Sequence, residues 1–153
     1  MKRHRWAVTL LVAVCCAPPL AEGAQVAAAA ESQVLAALKH YAQLIEKMDN
    51  AGIAALFTED GEIVNPGGDP IKGPAAIEAF LKQFSDYHVV SEMLEPQKTQ
   101  VDGDRAKQEG TFRQRVRGPD GNAREVSGTF TIDWMRDSSG AWRIQRVATA
   151  PRR

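Results

Sequence analysis

The stretch Ala55–Phe80, "ALFTEDGEIVNPGGDPIKGPAAIEAF", decides how this chain folds. It closes one helix, holds a strand, and passes through a loop into another helix. Glu62 to Asn65 reads as a short strand, ended by Pro66 because proline has no N–H to give a ladder. "TEDG" before it reads as a turn, and "PGGDPIKG" after it as a loop. Pro74 suits the first turn of a helix whose inner face carries Ile77, Phe80, Leu81 and Phe84. Asn65 therefore stands where the strand opens into the loop, a place to hold a polar group at the mouth of a pocket.

Working outward, Val34, Leu38, Tyr41, Ile45 and Met48 recur at helical spacing, with Ser32 as the expected N-cap and Ala27 to Ala30 as a frayed start. Asp49-Asn50 breaks that helix and caps a second one through Ile53, Leu56 and Phe57. The second half is different. Tyr87–Glu95, Thr99–Val101, Arg105–Arg117, Arg124–Arg136 and Ala141–Thr149 read as strands, separated by turn signals such as "GPDGN" and "DSSG". Helices followed by a run of antiparallel strands predict an α+β fold. A long bent sheet curling around the first helix makes a cone with a pocket at its open end, where small-molecule sites tend to form.

The start of the chain reads as a leader. "MKRHRW" is basic, Trp6 to Ala17 is apolar, and small residues follow Pro18-Pro19. Residues 1–24 are expected to be a signal peptide, and residues 31–151 the folded domain. The mature protein is expected to be secreted or periplasmic, with no membrane association after cleavage. Both cysteines, Cys15 and Cys16, fall in the leader, so the domain has no thiol chemistry, disulfide or cysteine metal site. The formal net charge of the chain is zero. Loss of Lys2, Arg3, Arg5 and Glu22 leaves acids slightly in excess, which excludes the basic surface a nucleic-acid partner needs. Arg113, Arg115 and Arg117 alternate along one strand and read as a solvated face.

The sequence also resembles a known family. Ala55–Phe80 is similar to the helix-turn-strand-loop-helix signature of the nuclear-transport-factor-2-like superfamily, nearest to its SnoaL-like proteins and steroid delta-isomerases. "GTFTIDWMRDSSGAWRIQRV" resembles the last hairpin of SnoaL-like domains. The resemblance covers most of Ser32 to Ala150 and implies the cone fold, which hosts both enzymes and binding modules. In the isomerases a tyrosine of the first helix stands sixteen residues before the phenylalanine that ends the second, as Tyr41 does before Phe57. A protonated aspartate follows isoleucine late in the sheet, as Asp133 follows Ile132. These two groups would donate to a developing enolate oxygen. The family's general base is an aspartate before a proline. Here that position is Asn65, an amide, which takes no proton from carbon at neutral pH.

The resemblance thus implies a pocket for a small, partly apolar organic ligand. The alternative is an isomerase or hydrolase acting on a carbonyl compound, with Tyr41 as oxyanion donor. A homodimer is implied, and no cofactor is expected. Catalytic candidates are Tyr41, Asn65 and Asp133, although strict alternation sets Asp133 on the face opposite Phe130, Ile132 and Trp134 unless a bulge re-aims it. Asp60, beside Glu59, is expected to cap the turn or touch the pocket. Glu62 falls on the strand face opposite Ile63 and Asn65. His88 and His40 are the remaining candidate bases. Without a spaced acid they make no metal site. Phe112, Phe130 and Trp134 are expected to wall the pocket. Arg146, alternating with Trp142 and Ile144, is expected to reach inward and favour an anion.

Overall fold

A computed structural model describes residues 19–152, so most of the expected leader lies outside the described residues. Helix α1 spans Pro19–Lys47. It begins well before Ser32, because the alanine-rich segment that reads as frayed is made of the best helix former. Val34, Leu38, Tyr41 and Leu44 form its buried stripe. Helix α2, Asn50–Ala55, is capped as expected, with the Gly52 N–H donating to Asp49 Oδ1 at 2.9 Å. Helix α3, Pro74–Lys82, begins on its proline and buries Ile77 completely.

The strands are β1 (Phe57–Val64), β2 (Ile71–Lys72), β3 (His88–Asp102), β4 (Arg105–Arg117), β5 (Ala123–Arg136) and β6 (Trp142–Pro151). They form one sheet in the order β2-β1-β6-β5-β4-β3. All neighbours are antiparallel except β1 and β6, which run parallel. Three local expectations change. "TEDG" is an irregular part of β1, where the register against β6 shifts between Phe57 and Glu62. Ile71-Lys72, inside the expected loop, pairs back onto β1. The segments Tyr87–Glu95 and Thr99–Val101 are one edge strand, which tolerates Pro96 because the ladder breaks register there and one edge is free.

Strands β4 and β5 pair two glycines reciprocally with two phenylalanines. Gly110 faces Phe130, and Phe112 faces Gly128. A Cβ on Gly110 would meet the Glu95 carbonyl oxygen and come within 2.8 Å of the Phe130 ring. A Cβ on Gly128 would meet the Ala150 carbonyl and lie 2.8 Å from the Phe112 ring. Each phenylalanine thus covers the space left by a glycine across the strand pair, a device that lets sheets curve without losing packing. The curved sheet lays its inner face over α1, α2 and α3 around a core that includes Phe130, Ile132, Trp134, Ile144 and Val147.

Among the described residues, one polar side chain is fully buried in that core. Gln108 accepts from Trp134 Nε1 at 2.9 Å and donates from Nε2 to Thr99 Oγ1 at 3.2 Å. The outer face carries charge, including the expected solvated stripe Arg113, Arg115 and Arg117.

Candidate functional site

Between α1, α3 and the inner face of the sheet lies a cavity of about 340 Å³. That is within the usual range for small-molecule sites. Helix α1 gives it Tyr41 and Ile45, and α3 gives Phe80 and Leu81. The sheet supplies Ile63, Leu94, Phe112, Phe130, Ile132 and Val147, and Asn65 closes the end of β1. Phe84 and Val126 line it while remaining about two-fifths exposed, 42% and 40%, so they mark its mouth. Phe84 extends an edge-to-face aromatic row, 5.3 Å from Phe80 and 6.2 Å from Tyr87 between ring centres.

Few polar groups interrupt this lining. Tyr41, Asn50, Asn65, Glu92, Gln114 and Thr149 supply them. Tyr41 and Asn65, expected at the pocket from the sequence, do share it. Tyr41 is buried, which pushes its hydroxyl pKa far above the ordinary tyrosine value, and the charge of Glu92 adds to the shift. It is therefore a neutral hydrogen-bond donor at any physiological pH.

Glu92 is the residue that sequence reasoning missed. Its carboxyl is pushed up to about 7, first by burial and further by the charge of Glu46, while the Gln114 side chain works the other way. Its backbone N–H donates to Glu46 Oε1 at 3.1 Å, which ties β3 to α1. Glu92 Oε2 is covered and has no hydrogen-bond partner among the described residues. The side chain points inward because β3 carries an extra residue. Val89 pairs with Val116 but Ser91 with Arg115, so Val90 bulges out and Glu92 joins Val89 and Leu94 on the inner side. Simple alternation puts Glu92 and Val89 on opposite faces.

Five predicted residues lie elsewhere, Trp134 among them. Asp133 lines an open outer cleft of about 1010 Å³ with Asp60, Lys107 and Arg146, on the far side of the sheet from Tyr41. The alternation of β5 holds at Asp133, and no bulge turns it inward. Asp60 accepts from Thr58 Oγ1 at 2.9 Å and serves its own strand. Arg146 points outward because of a second bulge. Asp133 pairs with Arg146 but Trp134 with Ile144, so Gln145 is extra and Val147 takes the inner position. Arg146 sits 3.5 Å from Glu62, which also faces Lys72 at 3.5 Å. His88 is exposed on the edge strand.

The aromatic candidates divide. Phe112 and Phe130 line the cavity. Trp134, 2% exposed, is core, held by Gln108. The outer cleft is the larger hollow, but charged side chains pair across it and it is open to solvent. The inner cavity is the better site for an organic ligand because it removes apolar surface from water.

Solved structures share this architecture. A ketosteroid isomerase-like protein from Erwinia carotovora atroseptica superposes with a TM-score of 0.71 at 17% identity, covering 79% of this chain and 95% of that one. An NTF2-like protein with a cystatin-like fold from Novosphingobium aromaticivorans gives 0.71 at 21% identity, covering 89% and 91%. A Catenulispora acidiphila protein in complex with S-DNPA gives 0.67 at 20% identity, covering 80% and 94%. At such identities the likeness establishes the fold alone. No curated protein matches this sequence. The model of the SnoaL-like domain matches residues 26–148. With a curved six-stranded sheet wrapped on an N-terminal helix, the chain belongs to the SnoaL-like domain family.

Proposed function

We propose that this protein binds a small, largely apolar organic molecule in the cavity between α1 and the sheet. The observation that carries the reading is the cavity itself: about 340 Å³ of apolar lining that converges on a few polar groups, with Phe84 and Val126 at its opening. A ligand entering it is desolvated on most sides, while Tyr41 and Asn65 offer fixed hydrogen bonds. The expected export of the chain belongs to this reading, supported by the basic and then apolar start of the sequence. Recovery of a shortened chain from the periplasmic or culture fraction tests it.

The binding test is a thermal-shift panel of neutral steroids and naphthyl alcohols on wild type and Val126→Trp. Ligand that binds only the folded state raises the melting temperature by mass action. Wild type should gain stability with at least one compound, and the variant, its mouth filled by indole, should gain none. Equal shifts in both proteins, or none in either, remove the reading.

A second reading is favoured by Tyr41 and Asn65 sharing one cavity: an isomerase-type pocket whose base position holds an amide. If the alignment with the isomerases is right, Asn65→Asp should gain ketosteroid isomerisation that is lost again on adding Tyr41→Phe. An inert Asn65→Asp removes that reading and leaves the first intact.

A further inference from the structure

The cavity contains one carboxylate that no neighbour neutralises. Glu92 Oε2 is covered and unpartnered among the described residues. Tyr41 and Glu46 of α1 and Gln114 of β4 act on it. The first is a neutral donor, the second an acid and the third an amide. Among the described residues, no lysine, arginine or histidine lines the cavity. Its local field is therefore negative, in a hollow that is otherwise apolar. The lining also includes Tyr41, Phe80, Phe84, Phe112 and Phe130, whose ring faces attract cations.

A half-buried carboxylate with one oxygen covered and unpartnered is costly, and an opposite charge beside it offsets that cost. Aromatic walls with a single anion suit an ammonium group attached to an apolar body. A carboxylate ligand meets like charge, and a neutral alcohol gains only a hydrogen bond. We infer that the occupant of the cavity is an apolar amine bound as its ammonium ion, paired with Glu92 and packed against the aromatic lining. This rests on the binding reading above and specifies its ligand class.

The inference has a pH signature. The ion pair exists when Glu92 is charged, so amine affinity falls as pH drops below neutrality, whereas affinity for a neutral compound does not follow that titration.

The test is calorimetric titration of the purified protein with 1-naphthylmethylamine, 1-naphthalenemethanol and 1-naphthoate, which share one apolar body. At pH 8 the amine should bind at least about tenfold tighter than the alcohol, a factor that corresponds to roughly 1.4 kcal/mol. The naphthoate should bind weakest. Glu92→Gln should bring amine and alcohol to similar affinity. In wild type the amine's advantage should shrink between pH 8 and pH 5.5, a measurement that needs no variant. If the alcohol or naphthoate matches the amine in wild type, or if Glu92→Gln keeps the preference, the amine assignment is wrong and the binding cavity stands. If none of the three binds, both readings fall.

Discussion

Glu92 on β3 and Tyr41 on α1 line one cavity, and charge on the carboxylate opposes ionisation of the phenol. The pair divides the work. Tyr41 stays protonated at every physiological pH, while Glu92 titrates near neutrality. The cavity thus has a constant donor and a charge that depends on pH.

Glu92 should destabilise the ligand-free protein in alkaline solution. Its carboxyl rises from an ordinary 4.5 to about 7 on folding, so between those values the native state holds more protons than the unfolded chain. Stability therefore falls as pH rises through that window and stays reduced above it. Partial exposure of the side chain limits the penalty to about 2 kcal/mol. Glu92→Gln, which mimics the protonated acid, should raise Tm by about 6 °C at pH 8 and change it little at pH 5. Scanning calorimetry at the two pH values checks this, and an equal effect at both contradicts it.

Gly110 should resist substitution although it lies in the middle of a strand. Gly110→Ala puts a methyl group against the Glu95 carbonyl and the Phe130 ring. Displacing backbone is costly, so the variant should lose about 2 kcal/mol of stability, measured by urea unfolding. Because Phe130 also lines the cavity, ligand affinity should fall with it.

Removing the buried amide of Gln108 should strand the Trp134 indole N–H, which donates to Gln108 Oε1 at 2.9 Å. Gln108→Leu should cost about 1–3 kcal/mol, the usual penalty for a buried donor left unpaired. Thr99→Val removes only the outer link of the same chain and should cost less. Chemical denaturation of both variants gives the comparison.

Arg146 provides a negative control. It is exposed and pairs with Glu62 at 3.5 Å on the outer face. Arg146→Ala should change stability by less than about 1 kcal/mol, as exposed ion pairs do. It should leave ligand affinity unchanged, since a sheet separates it from the cavity. A large loss of affinity would mean the outer cleft is the site.

The fold was legible because its longest signals are periodic. The apolar stripe of α1 and the alternation of β4 and β5 run over many residues, and the structure follows both. Tyr41 is in the cavity because the stripe that predicts its burial also aims it at the sheet. Two of the misplaced side chains trace to single-residue insertions. The extra residue at Gln145 turns Arg146 outward, and the one at Val90 turns Glu92 inward. A bulge reverses every face after it, and neither segment has a glycine or other local signal to announce it. Asp133 went the other way: it resembles a family aspartate in sequence, but β5 keeps its alternation there and holds it outside.

The most direct measurement is the titration of Glu92 followed through its side-chain carboxyl carbon by ¹³C NMR, with and without 1-naphthylmethylamine. The midpoint should lie at about 7 in the free protein and move downward when the amine is bound. An ordinary glutamate midpoint that the amine does not move would show that the carboxylate sits in water, and would contradict a closed cavity built around it.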